Sequence, residues 1–342
     1  MFKRILIASL SAVALAGAGS AAAQASAPQD QTILNASYDI ARELFATINP
    51  KFQEHWKAKT GGNVTIEQSH AGTSRQAQAI IQGLKADTVT FNQVTDIDAL
   101  AQRGLVAKDW KNAFPNNSSP YYSTTAFLVR KGNPKNIRTW DDLVRDDVRV
   151  VFPNPKTSGN ARYSYLAAWL YAHQKFDGDE AKIREFVAKL LHNVDTFPTG
   201  GRGATVAFAQ NGQGDALLTF ESEVVNIANS DEYKDAGLEI VVPPVSVLAE
   251  FPVAVVDKVA DERGTRDIAT EFLNFQYTED IQKLLTTFNY RVHNEAAKQA
   301  AADRFPPVEL INPESVLGPW PEIQETHFSS NGILDQLLAA KR

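Results

Sequence analysis

Short apolar runs alternate with amphipathic segments along the first third of the chain. Runs of strand length occur at residues 32–36, 64–68 and 88–91. Each is followed by apolar positions at helical spacing, at residues 40–48, 77–84 and about 95–104. Strands that alternate with helices in this way predict a parallel sheet wound with helices.

A second series of the same kind lies between two β-rich runs at residues 124–130 and 251–256, which we interpret as crossings between two lobes. Within it the pattern predicts strands at residues 148–152, 194–197, 216–220 and 238–242. Helices are predicted at residues 161–174 and 180–191, and from the turn at 199–203 to residue 210. We therefore expect an α/β protein of two lobes, each a wound, mostly parallel sheet flanked by helices.

The expected organisation begins with a leader. Lys3 and Arg4 precede an apolar run at residues 5–16 and an alanine-rich stretch, which is typical of a signal peptide cleaved after Ala23 or Ala25. The run is too short for a membrane span of about 20 residues. The predicted divisions are the signal peptide at 1–25, lobe 1 at 26–123, lobe 2 at 124–250, and a return crossing with the rest of lobe 1 at 251–342.

Composition limits the possible partners. The sequence has no cysteine and is 44% hydrophobic, so stability must come from packed cores rather than disulfides. Without the leader, 32 basic side chains stand against 40 acidic ones. A chain with this negative balance is a poor partner for nucleic acid or an anionic membrane, but it can bind a small anion through local dipoles.

Three segments rich in glycine, serine and threonine each follow a predicted strand and precede a predicted helix, at residues 69–74, 156–160 and 199–203. The start of a helix has unpaired N–H groups and a partial positive charge, and small residues let a ligand reach them. Any one of these segments alone is more typical of a simple helix cap. Together with Asp39 and Asn92-Gln93, which occupy the same position after strands, they predict one anion site.

The residue types in these segments are donors of hydrogen bonds. Thr73 and Ser158 have hydroxyls, while Gly159, Asn160 and Gly201 offer backbone N–H groups. An oxyanion has only acceptor atoms and suits such a lining. Arg202 would add a charge if it contacted the anion, but an arginine beside a glycine turn is more often solvated or paired.

Several stretches are similar to the periplasmic sulfate- and thiosulfate-binding proteins that serve ABC importers, at residues 35–39, 68–70, 87–90, 127–134, 153–159 and 200–205. The resemblance implies a two-lobed type II periplasmic binding protein, a monomer that closes around dehydrated sulfate and docks on the membrane permease. It also implies that the anion contacts the backbone N–H groups of Asp39, Gly159, Asn160 and Gly201 and the hydroxyls of Thr73 and Ser158.

The sequence departs from the sulfate-only members of that family at three positions. It has Thr73 in place of serine, Asn160 in place of glycine, and Phe220 in place of a tryptophan that donates its indole N–H to sulfate. The stretch around Phe220 resembles the thiosulfate-binding branch, as do residues 92–96, 157–160, 249–254 and 327–330. We therefore expect both anions to bind, with Asn92 or Gln93 supplying the missing donor.

Other functions remain as alternatives at this stage. The same fold binding molybdate, phosphate or an organic sulfonate ranks second; hydrogen phosphate would need an acceptor for its proton, which a site made only of donors lacks. A periplasmic hydrolase ranks lower, because the sequence has no Gly-x-Ser-x-Gly elbow. The six histidines have no metal-ligand spacing, and neither an enzyme activity nor a cofactor or metal is predicted.

Overall fold

The computed structural model of the protein describes residues 30–340, so the predicted signal peptide at 1–25 lies outside the described residues. The strands are β1 Gln31–Ser37, β2 Val64–His70, β3 Thr88–Thr90, β4 Tyr121–Ser123, β5 Thr125–Val129, β6 Val150–Val151, β7 Ala216–Phe220, β8 Glu239–Val241, β9 Val245–Val247, β10 Ala249–Phe251, β11 Val253–Val255, β12 Arg291–Val292 and β13 Glu309–Ile311. The helices are α1 Arg42–Thr60, α2 Thr73–Ile81, α3 Val94–Gln102, α4 Pro115–Ser118, α5 Gly159–Lys175, α6 Glu180–His192, α7 Gly201–Thr205, α8 Glu221–Asn229, α9 Asp257–Arg263, α10 Arg266–Phe275, α11 Glu279–Thr287, α12 Glu295–Ala300, α13 Pro313–Leu317, α14 Trp320–Ile323 and α15 Ile333–Ala339.

The sheet of the first lobe has the strand order β11-β3-β1-β2. β1 is parallel to both β2 and β3, and β11 is antiparallel to β3. Helix α1 covers this sheet because its apolar residues fall on one face, and its Phe52 packs against Phe272 of α10 with ring centroids 5.1 Å apart. Burying each such side chain stabilises the lobe by about 1.5 to 3 kcal/mol.

The sheet of the second lobe has the order β6-β7-β5-β8. β6 is parallel to β7, whereas β5 enters from the first lobe and is antiparallel to both of its neighbours. The predicted strand at residues 194–197 is reduced to a single bridge between Val194 and Val150. Pro198 directly follows this segment and has no N–H group to form the hydrogen bonds of a sheet, which limits extension of the strand.

Two antiparallel strands connect the sheets. β4 pairs with β10, and the chain runs from β4 into β5 of the second sheet and from β10 into β11 of the first. The two β-rich runs that the sequence suggested as crossings, residues 124–130 and 251–256, hold β5 and β11, the strands that follow β4 and β10. The parallel strands of each lobe end on the side nearest the β4–β10 pair. The loops that follow these strands in one lobe therefore face those of the other lobe.

The C-terminal part of the chain differs from the expected return to lobe 1. α10 packs on β11 of the first sheet, but β13 pairs with β9, and α15 packs on α6 of the second lobe. His327 accounts for part of this arrangement: its ring meets the ring of Trp169 at 4.7 Å, and its Nδ1 lies 3.0 Å from the hydroxyl of Tyr165. Helix α5 is buried on nearly all sides and needs this second cover. The lobe boundaries themselves stay a prediction.

No helix within residues 30–340 combines the length and the apolar composition that crossing a membrane requires.

Candidate functional site

A cavity of about 330 Å³ lies between the lobes. The first lobe contributes Asp39, Ile40, Gly72, Thr73, Arg75 and Asn92 to its wall, and the second contributes Thr157, Ser158, Gly159, Asn160, Thr199, Gly200, Gly201 and Glu223. The structure thus brings together Asp39, Thr73, Ser158, Gly159, Asn160 and Gly201, the six residues that the sequence indicated for the anion. We refer to this space as the site cavity.

Four helical segments begin at its wall. Asp39 opens the 3-10 turn that leads into α1, and Thr73, Gly159 and Gly201 are the first residues of α2, α5 and α7. The segment begun by Gly201 continues as a π-helical turn to Gln210. Because the first N–H groups of a helix have no partner within it, four sets of backbone donors converge on one space.

Asp39 is the first residue of its helical segment, and its side chain does not act as the N-cap. Tyr38 occupies the N-cap position, and the Oδ1 of Asp39 accepts the N–H of Ile40 at 3.0 Å. The reason is that the helix starts one residue earlier than the apolar pattern suggested. The backbone N–H of Asp39 therefore stands at the start of the helical segment, where a ligand can use it.

Ser158 is the N-cap of α5. Its Oγ accepts the N–H of Ala161 at 3.4 Å, which uses a lone pair and leaves the hydroxyl hydrogen free for another acceptor. The side chain is buried, with 8% of its residue surface exposed. Ser158 can thus cap its own helix and donate into the site cavity at the same time.

Thr73 is engaged differently. Its hydroxyl lies 2.5 Å from Oδ2 of Asp96 and 3.1 Å from Oδ1 of Asn92, both acceptors. A hydroxyl has one hydrogen, so the side chain that was expected to donate to the anion already donates within the protein. The backbone N–H of Thr73, at the first position of α2, remains as its donor.

Asp96 anchors a network behind the cavity wall that the sequence did not reveal. Its carboxylate accepts the hydroxyls of Thr73 and Ser74, and it lies 3.8 Å from Nη1 of Arg162 on α5. The same Nη1 donates to the hydroxyl of Thr95 at 3.0 Å. Since Asp96 belongs to the first lobe and Arg162 to the second, this network joins the two.

Asn92 and Gln93 face Gly159 across the gap between the lobes. A Cβ on Gly159 would lie 2.9 Å from Oδ1 of Asn92 and 2.9 Å from Cβ of Gln93, which leaves no room for a side chain. Asn92 is on the wall of the site cavity, and Gln93 is not. Gln93 caps α3 through its Oε1, and its buried Nε2 has no partner among the described residues.

Arg202 and Phe220 lie away from the site cavity. Arg202 is exposed and borders a neighbouring groove. Phe220 is fully buried, with its ring 5.0 Å from that of Phe251 and 6.0 Å from that of Tyr163. The ring of Phe220 therefore belongs to the core behind the wall and does not line the cavity in which an anion would bind.

Glu223 is a wall residue that the sequence analysis missed. Its Oε1 accepts from Nδ2 of Asn160 at 2.8 Å, and its Oε2 accepts from the hydroxyl of Thr219 at 2.6 Å. Burial, with a smaller effect of the nearby charge of Asp39, raises the pKa of this carboxyl to about 7, against the hydrogen bonds from Thr219 and Asn160. The available signal was its position just after strand β7, where the other site residues also follow strands.

Arg75 was missed as well, and it is the one basic residue among the described wall residues. Its side chain is exposed and stands two residues after Thr73 in the first turn of α2. Within residues 30–340 no group of three or more His, Cys, Asp or Glu side chains could hold a metal ion. The cavity wall thus combines backbone donors, hydroxyls, the carboxyls of Asp39 and Glu223, and one peripheral cation.

Two α/β lobes, joined by paired strands and enclosing such a cavity, define a solute-binding protein. A model of the bacterial extracellular solute-binding proteins matches residues 34–291, and the chain belongs to this family. The expected fold, with its two lobes, and the resemblance noted from the sequence are confirmed.

Relatives extend over nearly the whole chain. A thiosulfate-binding protein of Escherichia coli is 54% identical over 92% of this chain and 93% of its own length, and one of Pseudomonas aeruginosa is 48% identical over 98% of each. A sulfate-binding protein of Escherichia coli is 42% identical over 90% of this chain and 93% of its own. The solved structure of the sulfate-binding protein SubI from Mycobacterium tuberculosis has a TM-score of 0.77 at 32% identity and covers 87% of this chain and 100% of its own.

Proposed function

We propose that this protein is the periplasmic solute-binding component of an ABC importer for sulfate and thiosulfate. In this role it is a monomer that is exported through the cleaved leader at residues 1–25. It captures the anion between its lobes and delivers it to the membrane permease, without making or breaking a covalent bond. The relatives named as thiosulfate- and sulfate-binding proteins support this assignment.

One observation carries the proposal: four helical segments from two lobes begin at the wall of a single cavity. A dehydrated dianion is tolerated inside a protein only if its oxygens all receive hydrogen bonds. The N–H groups of Asp39, Gly159, Asn160 and Gly201 supply such bonds, as does the hydroxyl of Ser158. For Thr73 we assign the backbone N–H, because its hydroxyl is held by Asp96.

Asn92 is our candidate for the donor that replaces the tryptophan indole. Its side chain is on the cavity wall, whereas that of Gln93 is not, and its Oδ1 lies 3.1 Å from the hydroxyl of Thr73, which donates its one hydrogen to Asp96. Within residues 30–340 no acceptor for its Nδ2 is found, so this amide can donate to an anion. Thiosulfate and sulfate then meet the same backbone donors. They differ at one vertex, where thiosulfate has a terminal sulfur in place of an oxygen.

Closure of the lobes follows from where the donors lie. Asp39 and Thr73 belong to the first lobe, while Ser158, Gly159 and Gly201 belong to the second. All are satisfied by one anion only when the lobes are together, so the anion stabilises the closed state. Arg75 at the edge adds a positive charge that favours the approach of an anion.

The test is a calorimetric titration of the mature chain, residues 26–342, with sulfate and with thiosulfate. We expect saturable binding of both at one site per chain, and each should displace the other. Molybdate, phosphate and an organic sulfonate form the second arm. Binding of one of those three with no heat from sulfate or thiosulfate would contradict the proposal, as would turnover of a sulfate or phosphate ester in a steady-state assay.

A further inference from the structure

The carboxyl of Glu223 lies on the cavity wall without a cation to balance it. Glu221, two residues earlier on α8, is held by Arg291 at 2.6 and 2.8 Å, but within residues 30–340 Glu223 forms no ion pair. Only 7% of Glu223 is exposed. The other titratable or charged groups facing it from the site cavity, the neighbouring groove and the packed elements are Asp39, Arg75, Glu43, Arg202, Glu232, Tyr233 and Tyr290.

The hydrogen bonds around this carboxyl are all donated to it. Asn160 gives one amide hydrogen to Oε1 of Glu223 and the other to the hydroxyl of Thr219, at 2.8 and 2.7 Å. Thr219 passes its own hydrogen to Oε2 at 2.6 Å. Each carboxyl oxygen therefore accepts one bond from the protein. As the side chains stand, Asn160 turns its amide hydrogens toward Glu223, and its buried Oδ1 has no partner among the described residues. A proton on Glu223 is therefore donated either to that oxygen after a flip of the amide or away from this network.

The direction away from this network leads into the site cavity, whose wall includes Glu223. The Oε2 of Glu223 lies 3.3 Å from the position that a Cβ on Gly201 would take, so the carboxyl stands beside the start of α7. An ionised carboxylate here would face a bound dianion at close range in a buried space, where repulsion between like charges is strong. A neutral carboxyl would instead donate a hydrogen bond to the same anion.

We propose that Glu223 serves this site as a protonated donor, and that each dianion that binds carries one proton from solvent onto its carboxyl. The inference rests on the proposed function and identifies a residue that sets its specificity. Burial already raises the pKa of Glu223 to about 7, so little free energy is needed to protonate it near neutral pH. An anion in the cavity raises that pKa further.

Selectivity against phosphate follows from the same proton. Hydrogen phosphate brings its own hydrogen, and a protonated Glu223 gives that hydrogen no acceptor. An ionised Glu223 would accept it and admit phosphate. The protonation state of one side chain thus decides whether the cavity takes fully ionised oxyanions alone.

Proton uptake can be measured directly on the intact mature chain. We would titrate sulfate and thiosulfate calorimetrically between pH 5.5 and 9, in pairs of buffers that differ in ionisation enthalpy. At pH 8 we expect uptake close to one proton for each anion, and above pH 7 an affinity that falls about tenfold for each pH unit. Below pH 6 both the uptake and the pH dependence should vanish.

Two variants isolate the residue. Glu223→Gln keeps the shape and a permanent donor, so it should bind at pH 8 at least as tightly as the parent protein and show no pH dependence. Glu54→Gln removes an equal charge from an exposed position on α1, away from the site cavity and the neighbouring groove, and should keep the parent's pH profile. If Glu223→Gln does not fold, the buffer pairs decide the question with the parent protein alone.

Two results would overturn this inference: binding without proton uptake at pH 8, or an unchanged pH profile in Glu223→Gln. Each of these leaves sulfate and thiosulfate binding intact. The absence of binding at every pH would instead remove the proposed function, so the two failures are distinguishable.

Discussion

Nη1 of Arg162 on α5 lies 3.8 Å from Oδ1 of Asp96 on α3, and this ion pair joins the two lobes behind the site cavity. Both side chains are about nine-tenths buried, at 10% and 8% exposure. The same carboxylate holds the hydroxyl of Thr73, which is on the cavity wall. The pair thus connects closure of the lobes to the position of a ligand-facing helix.

We expect Asp96→Asn to weaken anion binding by about tenfold to a hundredfold, because it leaves Arg162 unpaired in the closed state. The measurement is a calorimetric titration of Asp96→Asn, Arg162→Met and the double variant. If the pair acts as a unit, the double variant should lose less than the sum of the single losses. Strictly additive losses would show that the two residues act separately.

Ser158→Ala tests the hydroxyl that we assign as a donor to the anion. Removing a hydrogen bond to a charged group should cost about 1.5 to 3 kcal/mol of binding free energy, so the dissociation constant should increase for both anions. Ser315→Ala is the matched control, since that exposed serine bonds its own turn at the carbonyl of Asn312. Unchanged sulfate affinity in Ser158→Ala would place the anion elsewhere.

Gly159→Ala should block closure rather than remove a donor. Its Cβ would meet Asn92 and Gln93 at 2.9 Å, so the lobes cannot approach as closely. We expect affinity to fall at least a hundredfold, with a larger radius of gyration in solution scattering at saturating sulfate. Gly203→Ala, in the first turn of another site helix but off the cavity wall, should bind within a few fold of the parent.

The buried ring of His327 predicts how stability depends on acid. Burial lowers its pKa to about 4, so the folded protein keeps the ring neutral while the unfolded chain takes up a proton near pH 6.5. Stability is therefore complete above about pH 6.5 and falls as the pH drops toward 4. At pH 5 the loss from this residue is about 2 kcal/mol.

Urea unfolding at pH 7 and pH 5 measures this loss. His327→Asn keeps an acceptor near Tyr165 but cannot be protonated, so its midpoint should fall less between the two pH values than that of the parent. Burial lowers the pKa of His293 to about 4 as well, and the variant retains this residue. The midpoint of the variant should therefore still fall somewhat between pH 7 and pH 5. If the urea midpoint falls equally with pH in the two proteins, protonation of His327 is not a cause of the acid destabilisation.

The sequence predicted those parts of the structure that depend on local pattern. Apolar runs identified β1 and β7, and alternation identified β2. The rule that ligands lie beyond strand ends correctly predicted that Ser158 and Gly201 line one cavity. The helix at Gly159 begins two residues earlier than expected, because the apolar pattern starts only at Ala161.

What the sequence did not predict depends on contacts between distant segments. Glu223 acquires its environment from Asn160, 63 positions away, and Arg162 meets an aspartate on the other lobe. The C-terminal helices pack on the second lobe because α5 exposes a second apolar side, which a one-face helical pattern cannot show. Residue types and spacing do not specify such pairings.

The most direct test of the account is a crystal structure of the mature protein grown with thiosulfate, in which anomalous scattering locates the sulfur atoms. We predict one anion in the site cavity, with oxygens about 2.7 to 3.1 Å from the backbone nitrogens of Asp39, Gly159 and Gly201. An anion bound outside this cavity, or an empty cavity at saturating thiosulfate, would contradict it.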